Sequence, residues 1–145
     1  MIDATRHIAR LALIVSVALA CGCAFNLSDV TYRPARIELA GCQGSPFALA
    51  ADTEILGAPC GYSRTLRKGT RWNPVGTVAE GIVYKSPDQA LTIECSNVFE
   101  VYLVVAQQRL VGFYLPVEKG FSPLGEPIQL VMKQPLQPPI CFFSQ

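Results

Sequence analysis

The carboxy-terminal half of the chain alternates between apolar and polar positions. "LTIEC", residues 91–95, sets Leu91, Ile93 and Cys95 on one side and Thr92 and Glu94 on the other, the two-residue period of a half-buried strand. "VFEVYLVV" (98–105) and "RLVGFYL" (109–115) flank the polar "AQQ", which predicts a hairpin with a short loop. "PIQLVMK" (127–133) reads as a last strand, and "SPDQ" (86–89) as a turn. Upstream, "VGTVAEGIVYK" (75–85) predicts a strand with Gly76 and Gly81 as bulge positions, while "YSRTLRKGTRW" (62–72) alternates weakly. "VTYRPARIEL" (30–39) is rich in β-formers but holds Pro34, so it predicts an edge strand.

One stretch has a different period. Ser45 followed by Pro46 makes a helix start, and Phe47, Ala51 and Ile55 then fall four apart before Gly57 and Pro59. The pattern predicts one short helix. The tail "QPLQPPICFFSQ" is broken by proline and needs tying down at Cys141. Pro and Gly, 11 each, are spread along the chain rather than clustered, which suits a turn-rich β-domain better than disorder. The expectation is a mainly β fold: a small antiparallel sandwich or barrel with one short helix, braced by disulfides.

The first residues stand apart. Arg6 and Arg10 precede an apolar run, residues 11–20, and then come small residues around Cys21 and Cys23. This is the charged, apolar and small-residue order of an export signal. The run is shorter than the roughly 20 residues a membrane-spanning helix needs. "VALACGC" resembles the lipobox of bacterial lipoprotein precursors. In that class the chain is cut before a cysteine whose thiol then carries a diacylglycerol. Both cysteines match loosely, and neither has leucine three residues before the cut. Position favours Cys21, directly after the apolar run. Parity favours Cys23, which would leave four cysteines rather than five. The resemblance covers only residues 1 to about 23. It implies a signal over 1–20, cleaved before Cys21 or before Cys23; the residues that follow read as a short tether over 21–29 and a single β-rich domain over 30–145. A residue other than aspartate after the lipidated cysteine (Gly22 or Ala24) implies the outer membrane, facing the periplasm or the surface. An ordinary secretory signal is the alternative.

The body cysteines are Cys42, Cys60, Cys95 and Cys141. Four cysteines in an exported chain read as two disulfides, with three pairings open. Proximity favours Cys42–Cys60, a loop of about 18 residues worth roughly 3 kcal/mol, with Cys95–Cys141 as the second. No CxxC spacing and no histidine partner supports a metal site.

Charge and composition exclude several classes. Taking Arg6 and Arg10 from the 12 basic residues, and Asp3 from the 11 acidic ones, leaves ten of each. A nucleic-acid partner would call for a basic excess. The only histidine, His7, lies in the signal, so the mature chain lacks the base of a Ser-His-Asp or Cys-His site. Phosphate-cradling and dinucleotide glycine motifs are missing, as is S-x-x-K. Glu80, Glu94, Glu100 and Glu118 are the carboxylates left for pairing, each at a solvent-facing position of the predicted elements. Neither an enzyme nor a cofactor is expected.

Two stretches are candidates for contact. Arg64, Arg67, Lys68 and Arg71, followed by Trp72, form a basic cluster that suits phosphate-bearing headgroups or an acidic partner. The same charges also suit an edge strand that discourages pairing. Phe113, Tyr114 and Phe121, interleaved with Pro116 and Pro123, form a candidate protein interface, with core filling as the alternative. The sequence therefore points to a lipid-anchored, non-enzymatic envelope protein. It would be held at the membrane by its lipid and act through a protein partner, as an accessory of an envelope assembly or secretion machine. A periplasmic small-ligand-binding β-domain is the alternative.

Overall fold

The computed structural model describes residues 29–39, 44–61 and 63–133. The signal segment, Cys21, Cys23, Cys42 and Cys141 lie outside them. The strands run β1 Arg33–Pro34, β2 Phe47–Leu49, β3 Thr53–Ile55, β4 Arg64–Leu66, β5 Arg71–Val78 and β6 Gly81–Lys85. They continue as β7 Thr92–Glu94, β8 Val98–Glu100, β9 Tyr102–Ala106, β10 Arg109–Leu115, β11 Gly120–Gln129 and β12 Met132–Lys133. Eight form one sheet in the order β1-β11-β10-β9-β6-β5-β2-β12, and every pairing in it is antiparallel. The other four make two separate hairpins, β3–β4 and β7–β8. The mainly β, antiparallel expectation holds, and the sheet is not closed into a barrel.

The β9–β10 hairpin forms where the sequence placed it. Gln107 and Gln108 both have positive φ, 51° and 62°, the backbone of a two-residue turn whose twist matches the strands it joins. Side chains then alternate between two faces. Leu103 and Val105 belong to one apolar cluster with Trp72, Leu110, Phe113 and Leu115. Tyr102 and Val104 belong to a second, with Val78, Val83, Tyr114 and Phe121. The first face is covered by the two small hairpins, which contribute Ile55, Leu66, Ile93 and Phe99. This gives the molecule its sandwich-like layering.

The second face is covered by the chain itself. Arg33 and Pro34 pair with Phe121 and Gly120 of β11, and the Ala35 amide donates to the Lys119 carbonyl. A few residues on, Glu38 exchanges both backbone bonds with Thr77 of β5, each 2.8 Å. From Pro34 to Glu38 the chain reaches at most about 14 Å. In a flat sheet β11 and β5, with β10, β9 and β6 between them, would lie about 19 Å apart. The sheet must therefore curl, and residues 34–38 cross its second face as a strap.

Several expectations are corrected. The segment read as a helix is two short strands, β2 and β3. Phe47, Leu49, Thr53 and Ile55 are buried while Ala51 is exposed, so the period is two and the four-residue spacing was coincidental. Among the described residues the helical element is a single 3-10 turn, Pro59–Gly61. "VGTVAEGIVYK" is not one strand but the end of β5, a turn at Ala79–Glu80 and β6. The register slips between Pro74 and Gly76, so a bulge does fall beside Gly76; Gly81 instead pairs with Val78, and a Cβ there would strike the Val105 carbonyl. "VFEVYLVV" divides at Val101 into β8 and β9, which belong to different sheets.

The longest strand, β11, contains two prolines, Pro123 and Pro127. Both are exposed; Pro123 stays in register opposite Gly112, whereas Pro127 falls where the pairing with β10 slips between Leu110 and Gly112. There β11 carries extra residues, including exposed Gly125 and Glu126. A bulge of this kind removes proline from the positions that must donate to the ladder.

Candidate functional site

The three aromatics offered as an interface are buried. Phe113 is 2% exposed, Tyr114 3% and Phe121 2%. Phe113 joins the first apolar cluster, while Tyr114 and Phe121 face one another across β10 and β11 in the second. As core residues Phe113 and Phe121 cannot serve as surface anchors, and Tyr114 reaches no more than the floor of a groove. The alternation that makes "FYL" a good strand also sends its members to opposite faces, so adjacent aromatics do not share a surface.

The basic stretch is dispersed in the same way. Arg64, on β4, donates through Nη1 to the Thr92 carbonyl at 2.7 Å and to Thr92 Oγ1 at 3.2 Å. It brackets the two small hairpins together. Arg71 forms a forked pair with Asp88, from Nε at 3.2 Å and from Nη2. Hydrogen bonds from the Arg71 side chain, and then from its backbone amide, hold the Asp88 carboxyl below its ordinary value. Arg67 lies 4.0 Å from Asp52, whose carboxylate also accepts from the Lys68 amide at 2.6 Å. Lys68 itself keeps an exposed side chain at the β4–β5 turn. Of the four, two are tied to structural partners and two sit at a capped turn.

The disulfide pairing favoured on proximity is overturned. Cys60 bonds Cys95, with the Cα atoms 5.7 Å apart. Cys60 lies in the β3–β4 connection and Cys95 at the β7–β8 turn. The bridge therefore joins the two hairpins that cover the first face, beside the Arg64–Thr92 bracket. Of the carboxylates, Glu80 is paired with Arg33 and Glu100 with Lys85. Glu94 is exposed and Glu118 partly so.

The most developed concavity is one that the sequence did not suggest. Beside the strap lies an open groove of about 960 Å³. Pro34, Ala35 and Ile37 of the strap form one wall, and Val75, Tyr102 and Tyr114 of the curled sheet form the other. Pro116 and Lys119 close it from the β10–β11 turn, while Arg36 and Lys85 complete the rim. On the other side of the strap is a smaller recess of about 350 Å³, bounded by Glu38, Thr77 and Glu80.

The groove has a definite electrostatic character. The Lys85 ammonium stands 4.9 Å above the Tyr102 ring and 3.6 Å from Glu100. Contact with the Tyr102 hydroxyl, and secondarily with Glu100, raises its pKa. It stays protonated at any physiological pH. Burial raises the Tyr114 pKa, and a backbone hydrogen bond to Ile37, in the strap, pulls it back in part. Arg36 and Lys119 have no acidic partner among the described residues. The groove thus offers apolar walls, two tyrosines and three cations answered by one carboxylate.

Of its lining residues the sequence had singled out Pro34, Tyr114 and Pro116, none of them for a groove. The lining comes from five separated segments, and only the curling of the sheet brings them together. Comparison of the chain with protein-family models, with curated proteins and with solved structures finds no match in any of the three.

Proposed function

We propose that this chain is a lipid-anchored, non-enzymatic binding domain of the bacterial cell envelope that holds a small molecule in the groove beside its strap. The observation that carries the reading is the groove itself. Its volume falls within the range of small-molecule sites, and it combines apolar walls with a few convergent polar groups, as such sites do. Burial of Phe113, Tyr114 and Phe121 removes the residues on which a protein-contact role had been based. The anchor and the envelope location rest on the lipobox resemblance around Cys21 and Cys23.

The groove is tested by filling it. An environment-sensitive anionic dye, 1-anilinonaphthalene-8-sulfonate, should bind the folded protein with a rise in fluorescence. Val75→Trp, checked for unchanged melting, should abolish that rise. Unchanged dye binding in a folded Val75→Trp variant would remove the groove from consideration. The anchor is tested separately, by the intact mass of membrane-extracted protein. A mature mass without added acyl chains would exclude it.

A further inference from the structure

We infer that the groove selects an amphiphile with an aliphatic body and a single anionic head, a carboxylate or a phosphate monoester. This rests on the reading above that the groove is a binding site. Three observations define the ligand.

The first is the charge balance of the rim. Arg36, Lys85 and Lys119 come from three different elements and converge on one opening. Of the three, only Lys85 has an ion-pair partner within 4.0 Å among the described residues, Glu100 at 3.6 Å; Arg36 also borders the recess that holds Glu38 and Glu80. Like charges gathered at one mouth repel one another unless something anionic sits between them. The strap carries Arg36 to this mouth by the same backbone bonds that hold it to β11 and β5, so the convergence is fixed by the fold.

The second is the chemistry of the walls. Pro34, Ala35, Ile37, Val75 and Pro116 expose hydrocarbon to the groove. A small, fully hydrated anion such as inorganic phosphate would leave those walls in water. A ligand with a hydrocarbon body would cover them and gain roughly 25 cal/mol for each Å² removed from solvent.

The third is the arrangement of the rings. Tyr102 and Tyr114 have centroids 6.4 Å apart and planes inclined by 39°. They lean on each other and leave no parallel slot for a flat aromatic to slide between, since stacking on both faces would need about twice a 3.5 Å contact. One face of Tyr102 is already taken by the Lys85 ammonium. An aliphatic chain fits these inclined faces, whereas an intercalated nucleobase does not.

The test uses the mature chain with Cys21→Ser and Cys23→Ser, exported on an ordinary signal so that no acyl chain of its own competes. Decanoate, decyl phosphate, decanol and decyltrimethylammonium share one tail and differ in the head. Calorimetric titration should show decanoate and decyl phosphate binding at least ten-fold more tightly than decanol, with no detectable uptake of the cation. The double variant Arg36→Gln with Lys119→Gln should weaken the two anions about ten-fold and leave decanol unchanged. Both side chains are exposed, so folding is not at stake. Tighter binding of decyl phosphate than of decanoate would point to a lipid headgroup as the natural source, and the reverse order to a free fatty acid. Equal binding of decanol and decanoate would overturn the anionic preference while leaving the groove a binding site. Failure of all four to bind the folded chain would overturn both.

Discussion

Replacing Cys60 and Cys95 together by serine isolates what the bridge between the small hairpins contributes. The two cysteines are 35 positions apart. In the chain-entropy treatment, closing a loop of that length removes about 13 cal/mol/K from the unfolded ensemble, or about 4 kcal/mol at 25 °C. For a domain of this size that corresponds to a fall in Tm on the order of 15 °C. Arg64 still brackets β4 to β7 through Thr92, and Ile55, Leu66, Ile93 and Phe99 still pack in the first cluster. Urea unfolding should therefore show a lower midpoint, with a steeper denaturant dependence as the unlocked chain expands on unfolding. Hydrogen exchange should accelerate first in β3–β4 and β7–β8, and least in β9–β10–β11. The double variant is preferred to either single one, because an orphan thiol could exchange with Cys42 or Cys141. A loss below about 1 kcal/mol would refute the reasoning. Exchange that accelerated uniformly would refute the local assignment.

Three further outcomes follow from named contacts. Phe121→Ala should cost about 3–5 kcal/mol, the usual cost of truncating a buried aromatic; denaturation would check it, and a loss under about 1 kcal/mol would return Phe121 to the surface. The Asp88 carboxyl is held below its ordinary value of 3.8, so its contribution is present above that value and lost as pH falls through the lowered one. Acid unfolding of Asp88→Asn should then show a flatter limb below about pH 4, with wild type and variant converging in strong acid. Once Cys60 and Cys95 are joined, Cys42 and Cys141 are the body cysteines that remain. Ala48 pairs with Lys133, so the chains leading toward both leave from one ladder; non-reducing peptide mapping should recover Cys42 and Cys141 in a single linked fragment, and free thiols at both would contradict this.

What the sequence determined by itself was whatever local alternation and turn chemistry control. The hairpin of residues 102–115 was legible because a two-residue period on each side of a polar pair admits one local solution. Leu91 and Ile93 were correctly placed inward for the same reason. Ambiguity began where two periods fit the same residues. Phe47, Ala51 and Ile55 satisfy a helical spacing, but Phe47, Leu49, Thr53 and Ile55 satisfy a strand spacing. Pairing of β2 with β5 and of β3 with β4 decided between them, because hydrogen bonding to a distant partner overrides a weak local preference.

Contacts between distant segments were decided by tertiary structure alone. The bridge from Cys60 skips the sequence-near Cys42 for Cys95, since both small hairpins must cover the same apolar face. Pro127 of β11, which locally argues against a strand, was accommodated by a bulge that only pairing with β10 reveals. The groove was the least legible feature. Arg36, Lys85, Tyr102 and Lys119 carry no shared motif, and they meet because a strap too short to span a flat sheet bonds both β11 and β5 and so bends the sheet around it.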